Sequence, residues 1–130
     1  MLRQVYAFLA WAFVASIVAQ VFLAGRAIPQ LGGNGSFVAH RDFGYLIGPV
    51  TLALLIAAIA ARAGRRRILQ AAGLLALYVV QSFLPYMDPG LPFAAALHPV
   101  NALVMFWLGV VYARQVWRER SAAALQRVPA

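Results

Sequence analysis

The 130-residue chain contains no cysteine, no lysine and only three acids, Asp42, Asp88 and Glu119. Without cysteine there is no disulfide scaffold, no Cys-based zinc ribbon and no thiol nucleophile. The acids are too scattered to pair: Asp42 and Asp88 lie in or beside loops at one end of the apolar runs and Glu119 lies past the other, which leaves general acid–base hydrolysis without its carboxylate couple. Ser16 and Ser82 have no base at a spacing that would activate them. No phosphate-cradling glycine pattern is present either, because Gly32-Gly33-Asn34-Gly35 precedes an apolar run instead of following a strand. Charged residues make up 11% of the sequence against 64% hydrophobic, with a mean hydropathy of +0.79. That leaves too little polar surface to clothe a water-soluble globule.

What is present is apolar length. Four runs, at about 5–24, 43–61, 68–84 and 100–116, each approach the ~17–25 residues that a spanning helix requires. They lack the period-2 alternation of barrel strands, so their backbone amides must be satisfied within helices. The sequence therefore predicts an all-α, integral membrane four-helix up-and-down bundle forming a single domain over 1–130. The tail from 119 to 130, with Ser121, three alanines, Gln126 and Pro129, is expected to fray into water. The first run is preceded by Met1, Leu2 and Arg3 and followed by small residues at Ala24, Gly25 and Ala27. Its length and its Ser16 and Gln20 read as a retained first helix rather than a cleaved signal.

All eleven basic residues are arginines and the formal charge is +8. They cluster at the ends of the apolar runs, which points to topology and not to nucleic acid. With both termini inside, nine arginines are cytoplasmic (Arg3, Arg62, Arg65, Arg66, Arg67, Arg114, Arg118, Arg120 and Arg127) and two, Arg26 and Arg41, are outside. This bias predicts an inner-membrane protein of a bacterium with cytoplasmic termini. Arg65 to Arg67 reads as an anchor at the tight inner turn around Ala63 and Gly64, a turn short enough to make its flanking helices antiparallel neighbours.

The two halves of the chain resemble each other. Gln20-Val21-Phe22-Leu23 near the outer end of the first span matches Gln81-Ser82-Phe83-Leu84 near the outer end of the third. Each is followed by a loop with proline and glycine, and then by a histidine, His40 or His98, opening the next helix. The halves read as two helical hairpins related by a pseudo-twofold axis along the membrane normal. Spans two and four would be diagonal, and the chain's two histidines would meet near the external end.

Imidazole is the usual axial ligand of haem iron, and a diagonal pair in a four-helix bundle suits one haem b. Small residues follow each ligand at helical spacing: Gly44 and Gly48, then Thr51, below His40, and Ala102, with Met105 and Gly109 beyond, below His98. Arg41 is a candidate propionate partner. Gln20, Gln81 and Asn101 are candidates to orient the imidazoles.

His40-Arg41 and His98 in these positions resemble one four-helix half of the haem A synthase family, whose half-bundles carry a histidine pair on their second and fourth helices. The resemblance implies haem ligation by His40 and His98. The family's motif places an acid a few residues before His-Arg, whereas this chain has Phe37-Val38-Ala39, so the acid associated with oxidation chemistry is missing. The chain also looks like small bacterial four-helix membrane proteins carrying His-Arg and His-Pro-x-Asn-Ala elements, a likeness that implies no function.

Each feature has a plainer counterpart. The histidines can be interfacial polar residues, and a non-haem metal would have to recruit Asp42, Asp88, Met87 or Met105. Gly44-x-x-x-Gly48 can be a helix contact within the bundle or in a homo-oligomer, and Gln20 and Gln81 can bond between helices. Pro99 is expected in the first turn of the last helix. Tyr6, Tyr112 and Trp117 are expected in interfacial belts, with Trp11 and Trp107 packed inside. Two functional readings stand: a b-type haem protein serving electron transfer or haem handling with a membrane or periplasmic redox partner, and a cofactor-free scaffold or accessory subunit. A channel or transporter finds little support, since no acid lies within the apolar runs.

Overall fold

The computed structural model describes residues 1–87 and 90–125, and these form four helices without strands: α1 Leu2–Ala27, α2 Val38–Ala60, α3 Arg65–Phe83 and α4 Pro92–Leu125. All four are long and apolar enough to cross a membrane. Each helix lies against the next and α1 closes the ring onto α4, while the diagonal pairs α1/α3 and α2/α4 do not approach each other closely. This is the up-and-down bundle that the four runs predict.

The core is a column of Phe13, Thr51, Leu54, Met105 and Tyr112, each essentially inaccessible. Ala7, Ala10, Ala58, Ala71 and Ala113 are also buried. Lipid tails are as apolar as leucine, so helix association in a bilayer depends on close contact and internal hydrogen bonds, and alanine lets backbones approach. Large apolar side chains such as Phe8, Phe22 and Leu103 face outward, as expected of helices that are apolar all round. Trp107 also points out, 67% exposed, and Trp11 is exposed as well, contrary to the expectation that both pack inside.

Helix ends depart most from expectation. α4 starts at Pro92, eight residues ahead of the predicted span, because proline's fixed φ suits a first helical position and the Leu91 N–H donates to the Met87 carbonyl at 2.7 Å. His98 therefore lies in the second turn of α4 and Pro99 lies inside the helix. At the other end α4 continues to Leu125, so the tail expected to fray from 119 is helical through that point. Asp88 and Pro89 of the second external loop, and residues 126–130 of the tail, lie outside the described residues. Along α4, His98 and Arg118 stand about 30 Å apart, close to the thickness of a hydrocarbon layer.

The inner turn is held by two bonds, Arg62 N–H to the Ile59 carbonyl and Ala63 N–H to the Ala58 carbonyl, both 3.0 Å. This is the double C-terminal cap in which glycine usually takes the left-handed position. Here an arginine takes it: Arg62 has φ 51°, at a cost of about 1 kcal/mol for a residue with a Cβ.

Candidate functional site

The repeat seen in the sequence becomes a pair of matching hydrogen bonds. His40, in the first turn of α2, donates from Nδ1 to the backbone carbonyl of Gln20 on α1 at 3.1 Å. His98 donates from Nδ1 to the backbone carbonyl of Gln81 on α3, also at 3.1 Å. A carbonyl can only accept, so each bond places a proton on Nδ1, and in the neutral ring the lone pair is then on Nε2. The two half-buried rings face each other across the bundle, centroids 6.1 Å apart and planes at 72°. Phe37 stands edge-on to His40, 6.2 Å between ring centres.

Around this pair the halves diverge. The Gln81 side chain donates from Nε2 to His98 Nε2 at 3.2 Å and accepts at Oε1 from Asn101 Nδ2 at 2.7 Å. Asn101 also donates to the Leu77 carbonyl at 3.0 Å and approaches Met105 Sδ at 3.5 Å. Gln81 and Asn101 thus hold His98 in a closed network. Gln20 orients His40 through its backbone, and its side-chain Oε1 is buried without a donor. An orphaned buried acceptor is uncommon in a folded protein. Asn101 follows His98 by three residues, and the same step from His40 reaches Phe43, which has no donor to offer.

The glycines have protein neighbours. A Cβ on Gly44 would lie 2.6 Å from Gln20 Nε2, and one on Gly48 would lie 2.8 Å from the Tyr78 ring, whose hydroxyl donates to the Gly44 carbonyl at 3.2 Å. Their smallness lets side chains of α1 and α3 come close to α2, beside the expectation that they clear a wall for a macrocycle. Ala102 is half-buried on α4. Arg41 is exposed and bonds its neighbour Asp42 through Nε and a terminal nitrogen, both 3.0 Å. On the same end, Tyr45 and Tyr86 share a hydrogen bond of 2.9 Å.

A second polar cluster, not foreseen, closes the opposite end. Arg67, with a side chain only 12% exposed, donates to Glu119 Oε1 from Nε at 2.9 Å and from a terminal nitrogen at 2.6 Å. It also bonds Gln70, at 2.7 Å, and Gln115. Nearby, Tyr6 and Tyr112 are buried and share a 2.6 Å hydrogen bond with rings edge to face. They join α1 to α4 in the core instead of forming the expected interfacial belt. Trp117 is exposed with the Arg120 guanidinium 4.6 Å above its ring, an arrangement suited to the membrane boundary.

The fold and the histidine pair define a four-helix bundle of membrane-spanning length, with neighbouring imidazoles at one end and an arginine-centred lock at the other. The chain belongs to the family described as a family of unknown function (DUF6220), whose model matches residues 20–87. The matched stretch contains Gln20, His40, Arg41, Gly44, Gly48 and Gln81, while His98, Asn101 and Ala102 lie beyond it. No curated protein and no solved structure matches the chain.

Proposed function

We propose that the protein is a b-type haem-binding membrane protein that holds one haem between His40 and His98 near the extracytoplasmic face. The observation that carries this reading is the facing pair of imidazoles, 6.1 Å between centroids, each with Nδ1 tied to a backbone carbonyl. Imidazole nitrogens bind first-row metals at about 2 Å, so His40 and His98, with ring centroids 6.1 Å apart, are near enough that both could hold one metal once the Gln81 amide leaves His98 Nε2. A ligating histidine normally donates its other ring N–H to a carbonyl or carboxylate, which fixes tautomer and ring orientation. Both histidines have that arrangement before any ligand arrives, and the donor set therefore fits a bis-imidazole haem.

Bound haem would supply one-electron chemistry at this end of the bundle. The chain's own residues supply position. The carbonyls of Gln20 and Gln81 hold each Nδ1–H and aim each Nε2, and the buried Gln20 Oε1 offers an unclaimed acceptor on the helix that orients His40. Arg41 offers an exposed guanidinium at the same end for a propionate. The likeness to half a haem A synthase belongs to this proposal only as far as ligation, because no acid precedes His40 within the motif. The arginine bias supports cytoplasmic termini in a bacterial inner membrane, and with it an extracytoplasmic site and redox partner.

A cofactor-free accessory subunit is the second reading. It is favoured by the Gln81 amide resting on His98 Nε2 and by Gln20 and Tyr78 filling the space at Gly44 and Gly48. Titration of the purified protein with hemin separates the two. Haem binding predicts one equivalent taken up, with a low-spin spectrum lost in both His40→Ala and His98→Ala. Absence of uptake by the wild type selects the accessory subunit, and spectra unchanged in both variants would sink ligation by His40 and His98.

A further inference from the structure

At the arginine-rich end, where α1 begins and the α2–α3 turn meets the last turns of α4, lies a cavity of about 260 Å3 whose wall carries Arg3, Arg62 and Arg120. A second hollow of about 560 Å3 opens beside it, bordered by the same three arginines and by the aliphatic Met1, Leu2 and Ala123. Arginines from three separate elements therefore line one space. The carboxylate on its wall is Glu119, and Arg67 already engages it with two N–H groups. Among the described residues, Arg3, Arg62 and Arg120 form no ion pair. Three arginines against one carboxylate that Arg67 already shares leave an excess of positive charge around the hollow, which an anion there would stabilise.

Two further observations bear on the kind of anion. Arg62 holds the left-handed cap position that glycine would occupy without strain, so the turn keeps a guanidinium at the mouth against its backbone preference. The hollow also lies at the foot of α2, and Arg120 on its wall stacks on the exposed Trp117, a residue type that gathers where headgroups meet the hydrocarbon. Its aliphatic flank distinguishes it from a site for a small soluble anion. Basic pockets between spanning helices are the usual way membrane proteins hold acidic headgroups.

We propose that this hollow binds the phosphate headgroup of an anionic phospholipid, with Arg3, Arg62 and Arg120 meeting the phosphate and Met1, Leu2 and Ala123 lining the start of an acyl chain. The site is independent of the histidine end and of whatever binds there.

The test reconstitutes the full chain in phosphatidylcholine vesicles containing a minor fraction of phosphatidylglycerol, extracts it in mild detergent and measures retained lipid by native mass spectrometry. The wild type should retain phosphatidylglycerol in preference to phosphatidylcholine. Arg3→Gln, Arg62→Gln and Arg120→Gln should each weaken retention about fivefold, as expected for loss of one arginine near a headgroup, and the triple variant should lose the preference. A control carrying Arg65→Gln, Arg66→Gln and Arg118→Gln removes the same charge from exposed positions and should retain the lipid. Arg62→Gly suits the turn, so it should fold at least as well as the wild type while losing lipid. Equal loss in both triple variants, or retention by the first, would overturn the proposal. Displacement of the lipid by inorganic phosphate, with phosphate retained on the protein in its place, would assign the hollow to a soluble anion instead, and would equally overturn it.

Discussion

The two ends of the bundle are closed by polar contacts of different kinds. Between the helices at the histidine end the bonds run from imidazole to carbonyl, amide to imidazole and amide to amide, and the Arg41–Asp42 ion pair stays on the exposed surface of one helix. At the arginine end one guanidinium satisfies a carboxylate and two glutamines at once. The first repeats its imidazole-to-carbonyl bond in both halves and leaves Gln20 Oε1 without a donor; the second occurs once and engages most of its donors. A neutral, duplicated, incompletely satisfied cluster is suited to receive a ligand, whereas a largely engaged charged cluster is suited to hold helices together. Buried charges must be paired in this way, since an unpaired one is costly in a low-dielectric interior.

Substitutions can break this comparison at several levels. The largest loss of stability should come from Gly48→Leu, where even a Cβ would stand 2.8 Å from the Tyr78 ring. Overpacking of that kind costs about 3 kcal/mol, read as a shift in the detergent-unfolding midpoint. Next is Arg67→Leu, which leaves Gln70 Oε1 without its donor, leaves Gln115 Oε1 only the 3.4 Å bond from Gln70 Nε2, and frees a carboxylate that is 51% exposed; about 2 kcal/mol is expected, moderated by that exposure. The glutamines then sharpen the contrast between the halves. Gln81→Leu removes two bonds and should cost about 1 kcal/mol, while Gln20→Leu removes a buried acceptor that has no partner and should be neutral or slightly stabilising. The smallest effect belongs to Trp107→Leu, an outward-facing position, with a change within about 0.5 kcal/mol. A large loss at Trp107 would place it in a contact between copies of the chain.

Much of the fold was legible because hydropathy reports where hydrocarbon surrounds the chain. The four apolar runs lie almost wholly inside the four helices, and the two short residues of turn at Ala63 and Gly64 correctly made α2 and α3 neighbours. Helix ends were not legible in the same way, because hydrogen bonding continues past the apolar stretch, as in the first two turns of α4 and its last residues. Gln20 was identified as a group that orients an imidazole, yet it acts through its backbone carbonyl, which no side-chain pattern reveals. The tyrosine pair joins residues 106 positions apart, and tyrosine suits both a belt and a satisfied core site. Tryptophan is similarly indifferent, and only the rotation of α1 and α4 turned Trp11 and Trp107 outward. Among Arg65, Arg66 and Arg67 successive side chains turn by about 100°, which brings only the last against α4. Glu119, the chain's single glutamate, was the signal that one of these arginines had a partner.

The central claim is that His40 and His98 are paired ligands of one haem. Its most direct test is an absorption spectrum of the detergent-purified protein, produced with ample haem and recorded before and after dithionite. The account predicts a coloured protein whose Soret band sharpens on reduction and whose α and β bands resolve, as six-coordinate b-type haem requires. A colourless preparation that remains colourless after hemin is added would contradict it.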